Sequence, residues 1–127
     1  MDLTRCRILI VDHNRLLREG LSSLVMRQPD MVLVGAATSG GEAVQLFREH
    51  RPEVVLMDLD LPGGTGIESI RKIRELDPNV CILGLLTYSW DDCAALALGA
   101  GAYACISKDR LNRDLVPLIH KGLSQDL

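Results

Sequence analysis

Four polar residues that lie far apart in this sequence each stand at or just beyond the end of a short apolar run: Asp12, Asp58, Thr87 and Lys108. A carboxylate can act as a nucleophile towards phosphorus and become an acyl phosphate. That reaction needs a hard divalent cation, usually Mg2+, which is held by carboxylates, phosphate oxygens and water. An ammonium group supplies a movable positive charge for phosphoryl oxygens, and a hydroxyl can donate a hydrogen bond to the same group once it is attached. The four residue types therefore suit phosphoryl transfer to a carboxylate, provided that the fold brings them together.

Five short apolar runs predict the strands that must position these residues. The runs are too short for helices and partly β-branched, which is typical of strands buried on both faces of a parallel sheet. They cover residues 8–11, 31–36, 54–57, 80–86 and 102–106.

Amphipathic segments between and after the runs predict helices. Apolar stripes with helical spacing are formed by Leu17, Leu21, Leu24 and Val25, by Ile67, Ile70, Ile73 and Leu76, and by Leu111, Leu115, Leu118 and Ile119. Capping-box sequences begin at Ser39 and Thr65, and an approximate one begins at Ser89. Three prolines are expected to stop the preceding helices: Pro29, Pro52 and Pro78.

The order of elements reads βαβαβαβαβα, which predicts a parallel sheet with helices on both faces. In an open sheet of this kind, ligands bind beyond the carboxyl ends of the strands. The two carboxylates, the hydroxyl and the ammonium are therefore expected at one edge of the sheet.

Composition narrows the possible classes of protein. A length of 127 residues suits one domain, and a net charge of −3 gives no electrostatic case for nucleic-acid binding by this segment. The four cysteines lack metal-ligand spacing and are read as reduced thiols. No apolar run reaches membrane-spanning length, and charges occupy the N-terminus where a signal peptide needs an apolar stretch. We therefore expect a soluble cytoplasmic protein without a membrane partner.

The order and spacing of these motifs resemble the response-regulator receiver family, and within it the NarL/FixJ (LuxR-type) subfamily. The resemblance is carried by residues 7–12, 17–21, 54–63, 66, 87, 99–102 and 108–109. It implies an α/β fold with a flavodoxin-like, doubly wound, five-stranded parallel sheet, (βα)5, in strand order 2-1-3-4-5. It also implies that residues 1–127 form one receiver domain, with the output domain absent from this chain.

The resemblance assigns a role to each polar residue. Asp58 would be the phosphoacceptor, Thr87 the switch hydroxyl and Lys108 the phosphoryl-binding lysine. Asp12 would belong to the acidic pair that binds Mg2+, and the backbone carbonyl of Asp60 would also reach the metal.

Two residues depart from the family pattern. His13 stands where the family has the second carboxylate of its acidic pair, so Mg2+ binding is expected to be weak. His13 could be a ligand for a softer metal, a cation near Asp58, or a neutral substitution in a switch that binds metal poorly; we favour the third reading. Cys105 stands where the family tends to have an aromatic residue, so we expect any relay to run through the loop carrying Tyr88 and Trp90.

The function predicted from these residues is a non-enzymatic, phosphorylation-activated switch of a two-component system. Its expected partners are a sensor histidine kinase, a second copy of the chain on activation, and DNA through a C-terminal helix-turn-helix domain that is not present here. A degenerate receiver that acts as a phosphorylation-independent interaction module is the alternative. A remote alternative is a phosphatase, because Asp58, Leu59 and Asp60 resemble the DxD nucleophile motif of haloacid dehalogenase-type phosphatases.

Overall fold

The computed structural model describes residues 5–62, 66–87 and 92–124, which form five parallel strands, each followed by an α-helix. The strands are β1 (Cys6–Val11), β2 (Met31–Ala37), β3 (Val54–Asp58), β4 (Cys81–Leu86) and β5 (Ala104–Ser107). The helices are α1 (Arg15–Met26), α2 (Gly40–His50), α3 (Gly66–Leu76), α4 (Cys93–Ala100) and α5 (Leu111–Leu123), with a short 3-10 helix at Lys108–Arg110 before α5. None of these described helices has the length and hydropathy needed to cross a bilayer.

The sheet has the predicted strand order, β2-β1-β3-β4-β5, which is confirmed. Strand β1 pairs with β3 in a register that places Val11 beside Met57. Strand β4 pairs with β5 in a register that places Leu86 beside Ser107. The residues that follow these pairs therefore emerge together at the carboxyl edge of the sheet.

Two hydrophobic cores cover the two faces of the sheet, and β1 contributes to both. Ile8 and Ile10 pack in the core beneath α1 and α5, whereas Leu9 and Val11 pack in the core beneath α2, α3 and α4. This alternation follows from the two-residue period of a strand. Because both faces are covered, a polar residue at the end of β1 has protein on either side.

The helices begin and end close to the predicted signals. Ser39 caps α2, since its hydroxyl accepts a hydrogen bond from the Glu42 amide, as the capping-box sequence predicts. The Glu42 carboxylate accepts from the Thr38 amide, one residue earlier than in the usual box. The capping sequences that begin at Thr65 and Ser89 start outside the described residues. Helices α1, α2 and α3 all end before the prolines that were expected to stop them.

The prediction that all five strands are buried on both faces is wrong at the two edges of the sheet. Strand β2 is buried only at its ends, and the first two residues of β5 are half-buried. Each of these strands has a neighbour on one side only, so the flanking helices cover it less completely. The three inner strands carry the fully buried apolar runs.

Candidate functional site

Two fully buried carboxylates lie side by side at the carboxyl edge of the sheet. Asp12 directly follows β1, Asp58 is the last residue of β3, and both are 0% exposed. Their proximity follows from the pairing of Val11 with Met57. Burial of two acidic groups at one point is costly unless they are paired with cations and hydrogen-bond donors.

Lys108 supplies that positive charge to both carboxylates. Its Nζ lies 3.0 Å from Asp12 Oδ2 and 3.1 Å from Asp58 Oδ1, and its side chain is 14% exposed. Lys108 is placed there because it opens the 3-10 helix after β5. One ammonium group therefore bridges the ends of two strands and offsets the repulsion between their carboxylates.

Backbone amides bind one oxygen of each carboxylate. The Asp60 amide donates to Asp58 Oδ1 at 2.9 Å, and the Asn14 amide donates to Asp12 Oδ1 at 2.8 Å. Amide donors that point at a carboxylate oxygen fix the orientation of the group. The Asp58 carboxylate is thus held rigidly before any ligand arrives.

His13 turns its ring towards the carboxylates, although its side chain remains 39% exposed. Its Nδ1 lies 2.7 Å from Asp58 Oδ2 and 4.0 Å from Asp12 Oδ1, and its backbone amide lies 3.4 Å from the same Asp58 oxygen. The imidazole therefore forms one wall of the site and contacts the oxygen of Asp58 that Lys108 leaves open.

A buried, unsatisfied oxygen marks the same place as a possible cation site. Asp12 Oδ2 is buried and forms no hydrogen bond among the described residues, although the Lys108 ammonium lies 3.0 Å away. Asp12, His13 and Asp58 each offer one ligand atom, and these atoms all lie within 4.8 Å of one another. Two carboxylate oxygens fit a divalent cation such as Mg2+, whereas the imidazole nitrogen suits a softer ion.

The side chains of Thr87 and Asp60 form no described hydrogen bond or ion pair with this cluster. Thr87 comes immediately after β4 and is exposed, and no described hydrogen bond or ion pair connects it with Asp58. The Asp60 side chain is also exposed, and its described contact with Asp58 is made by the amide. The loop residues Tyr88 and Trp90, through which a relay was expected, lie outside the described residues.

A glycine lets the chain close tightly behind Asp58. A Cβ atom on Gly66, the first residue of α3, would lie 2.2 Å from the Asp58 carbonyl oxygen. No side chain can occupy that space without moving the backbone that carries the carboxylate. This close approach is the physical reason for a glycine where the loop after β3 meets α3.

Cys105 packs where the family tends to have an aromatic side chain. Its Sγ lies against β4, because a Cβ atom on Gly84 would come within 2.9 Å of that sulfur. Burial raises the pKa of the Cys105 thiol above its ordinary value, which keeps it protonated. The side chain therefore behaves as a small, half-buried apolar residue.

Two residues that support the site were missed by sequence reasoning. Asn14 caps α1 through its side chain, which accepts from the Leu17 amide, and its own amide binds Asp12. The Arg18 Nη1 donates to the backbone carbonyl of Asp12 at 2.9 Å. Asn14 could have been found as an N-cap signal before an amphipathic segment, whereas Arg18 carries no sequence signal for a contact that reaches back to the strand.

Known proteins share this sequence pattern and this fold. The profile of the response regulator receiver domain matches residues 8–120. The nitrate/nitrite response regulator NarL of Escherichia coli K12 is 30% identical over 122 residues, which cover 94% of this chain and 56% of that protein. This chain thus spans about half the length of the curated relatives that it matches.

Solved structures agree with the sequence comparison. A LuxR-family two-component response regulator from Aurantimonas sp. SI85-9A1 superposes with a TM-score of 0.89 at 37% identity, covering 95% of this chain and 86% of that one. The response regulator domain of Thermotoga maritima CheB superposes with a TM-score of 0.86 at 28% identity, covering 94% and 97%. The chain therefore belongs to the response regulator receiver domain family, and its relatives include response regulators of the NarL/LuxR type.

Proposed function

We propose that this chain is a phosphorylation-operated switch in which Asp58 accepts a phosphoryl group from a sensor histidine kinase. The observation that carries the proposal is the pair of buried carboxylates, Asp12 and Asp58, bridged by the single ammonium of Lys108. A purely structural ion pair does not need two fully buried carboxylates that share one ammonium.

The proposed transfer is a displacement at phosphorus. An oxygen of Asp58 forms a bond to the phosphorus while the bond to the imidazole nitrogen of a phosphohistidine breaks, and the released histidine later takes up a proton. Lys108 then shifts its charge towards the phosphoryl oxygens, and the Thr87 hydroxyl donates a hydrogen bond to the same group. Asp12, Asp58 and the Asp60 carbonyl would hold a divalent cation, which would supply positive charge between the phosphate and the carboxylates.

Asp58 would change from one negative charge to a dianionic group with three acceptor oxygens. Movement of Lys108 and Thr87 towards that group would bias the ends of β4 and β5, from which both residues emerge. We propose that this change promotes homodimerisation in the cytoplasm. In the longer regulator of which we take residues 1–127 to be the receiver domain, DNA would be bound by a C-terminal helix-turn-helix domain.

Acetyl phosphate with Mg2+ provides the direct test of the proposed phosphoacceptor. Intact-mass spectrometry should show the gain of one phosphoryl group that hydroxylamine removes, and Asp58→Asn should abolish the gain. Asp60→Asn is the matched control, because the exposed Asp60 contacts Asp58 through an amide that the substitution retains. Labelling that persists in Asp58→Asn would place the phosphoacceptor elsewhere.

One observation favours the second candidate, a degenerate receiver that works without phosphorylation. His13 Nδ1 lies 2.7 Å from Asp58 Oδ2, so the imidazole occupies an oxygen that phosphoryl transfer or a metal would use. Labelling of His13→Asp but not of the natural chain would establish this reading.

The geometry around Asp58 and Asp60 gives little support to the remote phosphatase alternative. The second carboxylate of such a motif acts as a general acid, yet the contact from Asp60 to Asp58 is made by the backbone amide. A turnover assay with a generic phosphate ester would reveal such an activity directly.

A further inference from the structure

The donor set at the carboxyl edge of the sheet is mixed rather than purely acidic. It combines oxygens of Asp12 and Asp58 with Nδ1 of His13, and the ring is turned into the site. Imidazole nitrogen is a preferred ligand of zinc, nickel and copper, whereas Mg2+ selects oxygen and gives up its water reluctantly. The chemistry of the side chains therefore points away from magnesium.

The spacing of the donors also suits a small transition-metal ion. Bonds of about 2.0–2.2 Å to nitrogen and oxygen place neighbouring ligands ~3.0–3.4 Å apart. His13 Nδ1 lies 2.7 Å from Asp58 Oδ2 and 4.0 Å from Asp12 Oδ1, on either side of that range. All three donor atoms lie within 4.8 Å of one another, so small side-chain movements would bring them to bonding distance of one ion.

A separate observation supports a bound cation beside Asp12. Asp12 Oδ2 is buried and lacks a hydrogen bond from the described residues, although Lys108 is close. A carboxylate oxygen whose described partner is one shared ammonium can still accept a further cation. The neighbouring His13 side chain is 39% exposed, so solvent reaches the edge of the cluster.

The net charge of the cluster supports the same selectivity. Asp12, Asp58 and Lys108 together carry one negative charge, and a neutral imidazole adds none. A second carboxylate in place of His13 would double that charge. Mg2+ depends on carboxylate charge to offset its dehydration, whereas zinc-like ions also gain from bonding to the imidazole nitrogen.

We propose that Asp12, His13 and Asp58 form a site selective for a first-row transition-metal dication of the zinc, nickel or cobalt class over Mg2+. This inference rests on the proposed function, because it names the class of cation with which the phosphoacceptor works. Its test uses the unphosphorylated chain, so its outcome is separate from the labelling of Asp58 by acetyl phosphate.

Isothermal titration of the full chain with Zn2+ alone and with Mg2+ alone, at mildly alkaline pH, measures the selectivity. We expect one Zn2+ ion to bind at least about 100-fold more tightly than Mg2+, in line with the ligand preferences of the two ions. His13→Asp should reduce this preference at least about tenfold, because it restores a hard ligand and a negative charge. His13→Ala should weaken Zn2+ binding by a similar factor without improving the affinity for Mg2+.

A second histidine–aspartate contact provides the matched control. His120 Nε2 lies 2.8 Å from Asp30 Oδ2 on the surface, with side chains 51% and 47% exposed. His120→Ala should leave the Zn2+ affinity unchanged. Loss of binding in His120→Ala, or full retention in both His13→Ala and Asp12→Asn, would overturn the assignment.

Absorption of bound Co2+ identifies the ligands and excludes the cysteines. Ligation by nitrogen and oxygen should produce visible ligand-field bands that His13→Ala removes, without a thiolate-to-cobalt charge-transfer band. An intense thiolate band would place the metal on cysteine and overturn the proposal. Equal affinities for Zn2+ and Mg2+ would do so as well, whatever the outcome of acetyl phosphate labelling.

Discussion

The same pair of side chains meets at two places in this molecule, with nearly equal distances and different surroundings. His13 lies 2.7 Å from Asp58, and His120 lies 2.8 Å from Asp30. The Asp58 carboxylate is fully buried, whereas the Asp30 side chain is 47% exposed. The two distances are similar, whereas access to water differs.

Exposure to water determines how much each contact contributes to stability. An exposed pair such as His120 with Asp30 is screened and typically contributes about 0–1 kcal/mol. The Asp58 carboxylate has lost its water and depends on Lys108, on the Asp60 amide and on His13 for compensation. Removal of one of those partners should therefore cost more than the same change at the surface.

The largest effect is expected when the shared cation is removed. Lys108→Met should lower the free energy of unfolding by about 2–4 kcal/mol, because two buried carboxylates lose their common ammonium. Urea unfolding would measure this loss. Arg15→Met is the surface control, since Arg15 pairs with Glu19 at 3.0 Å while 81% exposed, and it should change stability by less than about 0.5 kcal/mol.

The double variant Lys108→Met with Asp58→Asn sharpens this prediction. Removal of one carboxylate should restore much of the stability, because the remaining Asp12 no longer faces a second buried charge. An additive loss in the double variant would show that Lys108 stabilises the fold through packing rather than through charge.

The buried, uncharged thiol of Cys6 extends the comparison of buried and exposed groups to alkaline pH. Burial raises the pKa of the Cys6 thiol from 9.0 to about 12. The unfolded chain therefore loses this proton at lower pH than the folded chain. The contribution of Cys6 to the free energy of unfolding is complete below pH 9 and is lost as the pH rises towards 12.

The pH dependence of stability that comes from Cys6 can be measured, and substitution of Cys6 should remove it. Between the two pKa values, stability should fall by up to about 1.4 kcal/mol per pH unit on account of Cys6. Urea titrations across this range should show a shallower fall in Cys6→Val than in the natural chain. Identical slopes would mean that the thiol ionises alike in both states.

Conversion of the His13 imidazole to a carboxylate should change cation affinity by about tenfold. His13→Asp should bind Mg2+ at least about tenfold more tightly and be labelled faster by acetyl phosphate, because it restores charge and a hard ligand. Isothermal titration of both proteins would measure the affinity. His120→Asp, at the surface contact, should change neither property.

Equal magnesium affinity before and after the His13 substitution would contradict this expectation. Asp12, Asp58 and the Asp60 carbonyl would then suffice for the cation, and His13 would be neutral towards it.

The smallest effect is expected when each of the two histidines is replaced by alanine. His13→Ala should cost about 1 kcal/mol, because the buried Asp58 loses a polar contact, and His120→Ala should cost less than about 0.5 kcal/mol. Thermal or urea unfolding at neutral pH would resolve the difference. Equal costs would indicate that water takes the place of the His13 ring at no loss.

Much of the fold follows from local patterns that the residues carry themselves. Continuous apolar runs predicted the five strands to within about two residues at each end, and the serine at position 39 correctly predicted the start of α2. Exposure of β2 and the start of β5 was not predicted, because a strand at the edge of a sheet has the same composition as one with two neighbours.

By itself, the sequence determined that Asp12, Asp58, Thr87 and Lys108 belong to one edge of the sheet, because each stands at or beside the end of a strand, and parallel strands end together. Only the tertiary structure decided how the side chains meet there. The register of β1 with β3, and of β4 with β5, decides which oxygens Lys108 can reach. The inward turn of His13 and the unsatisfied Asp12 oxygen depend on side-chain torsions that packing selects, and a linear pattern holds no information about them.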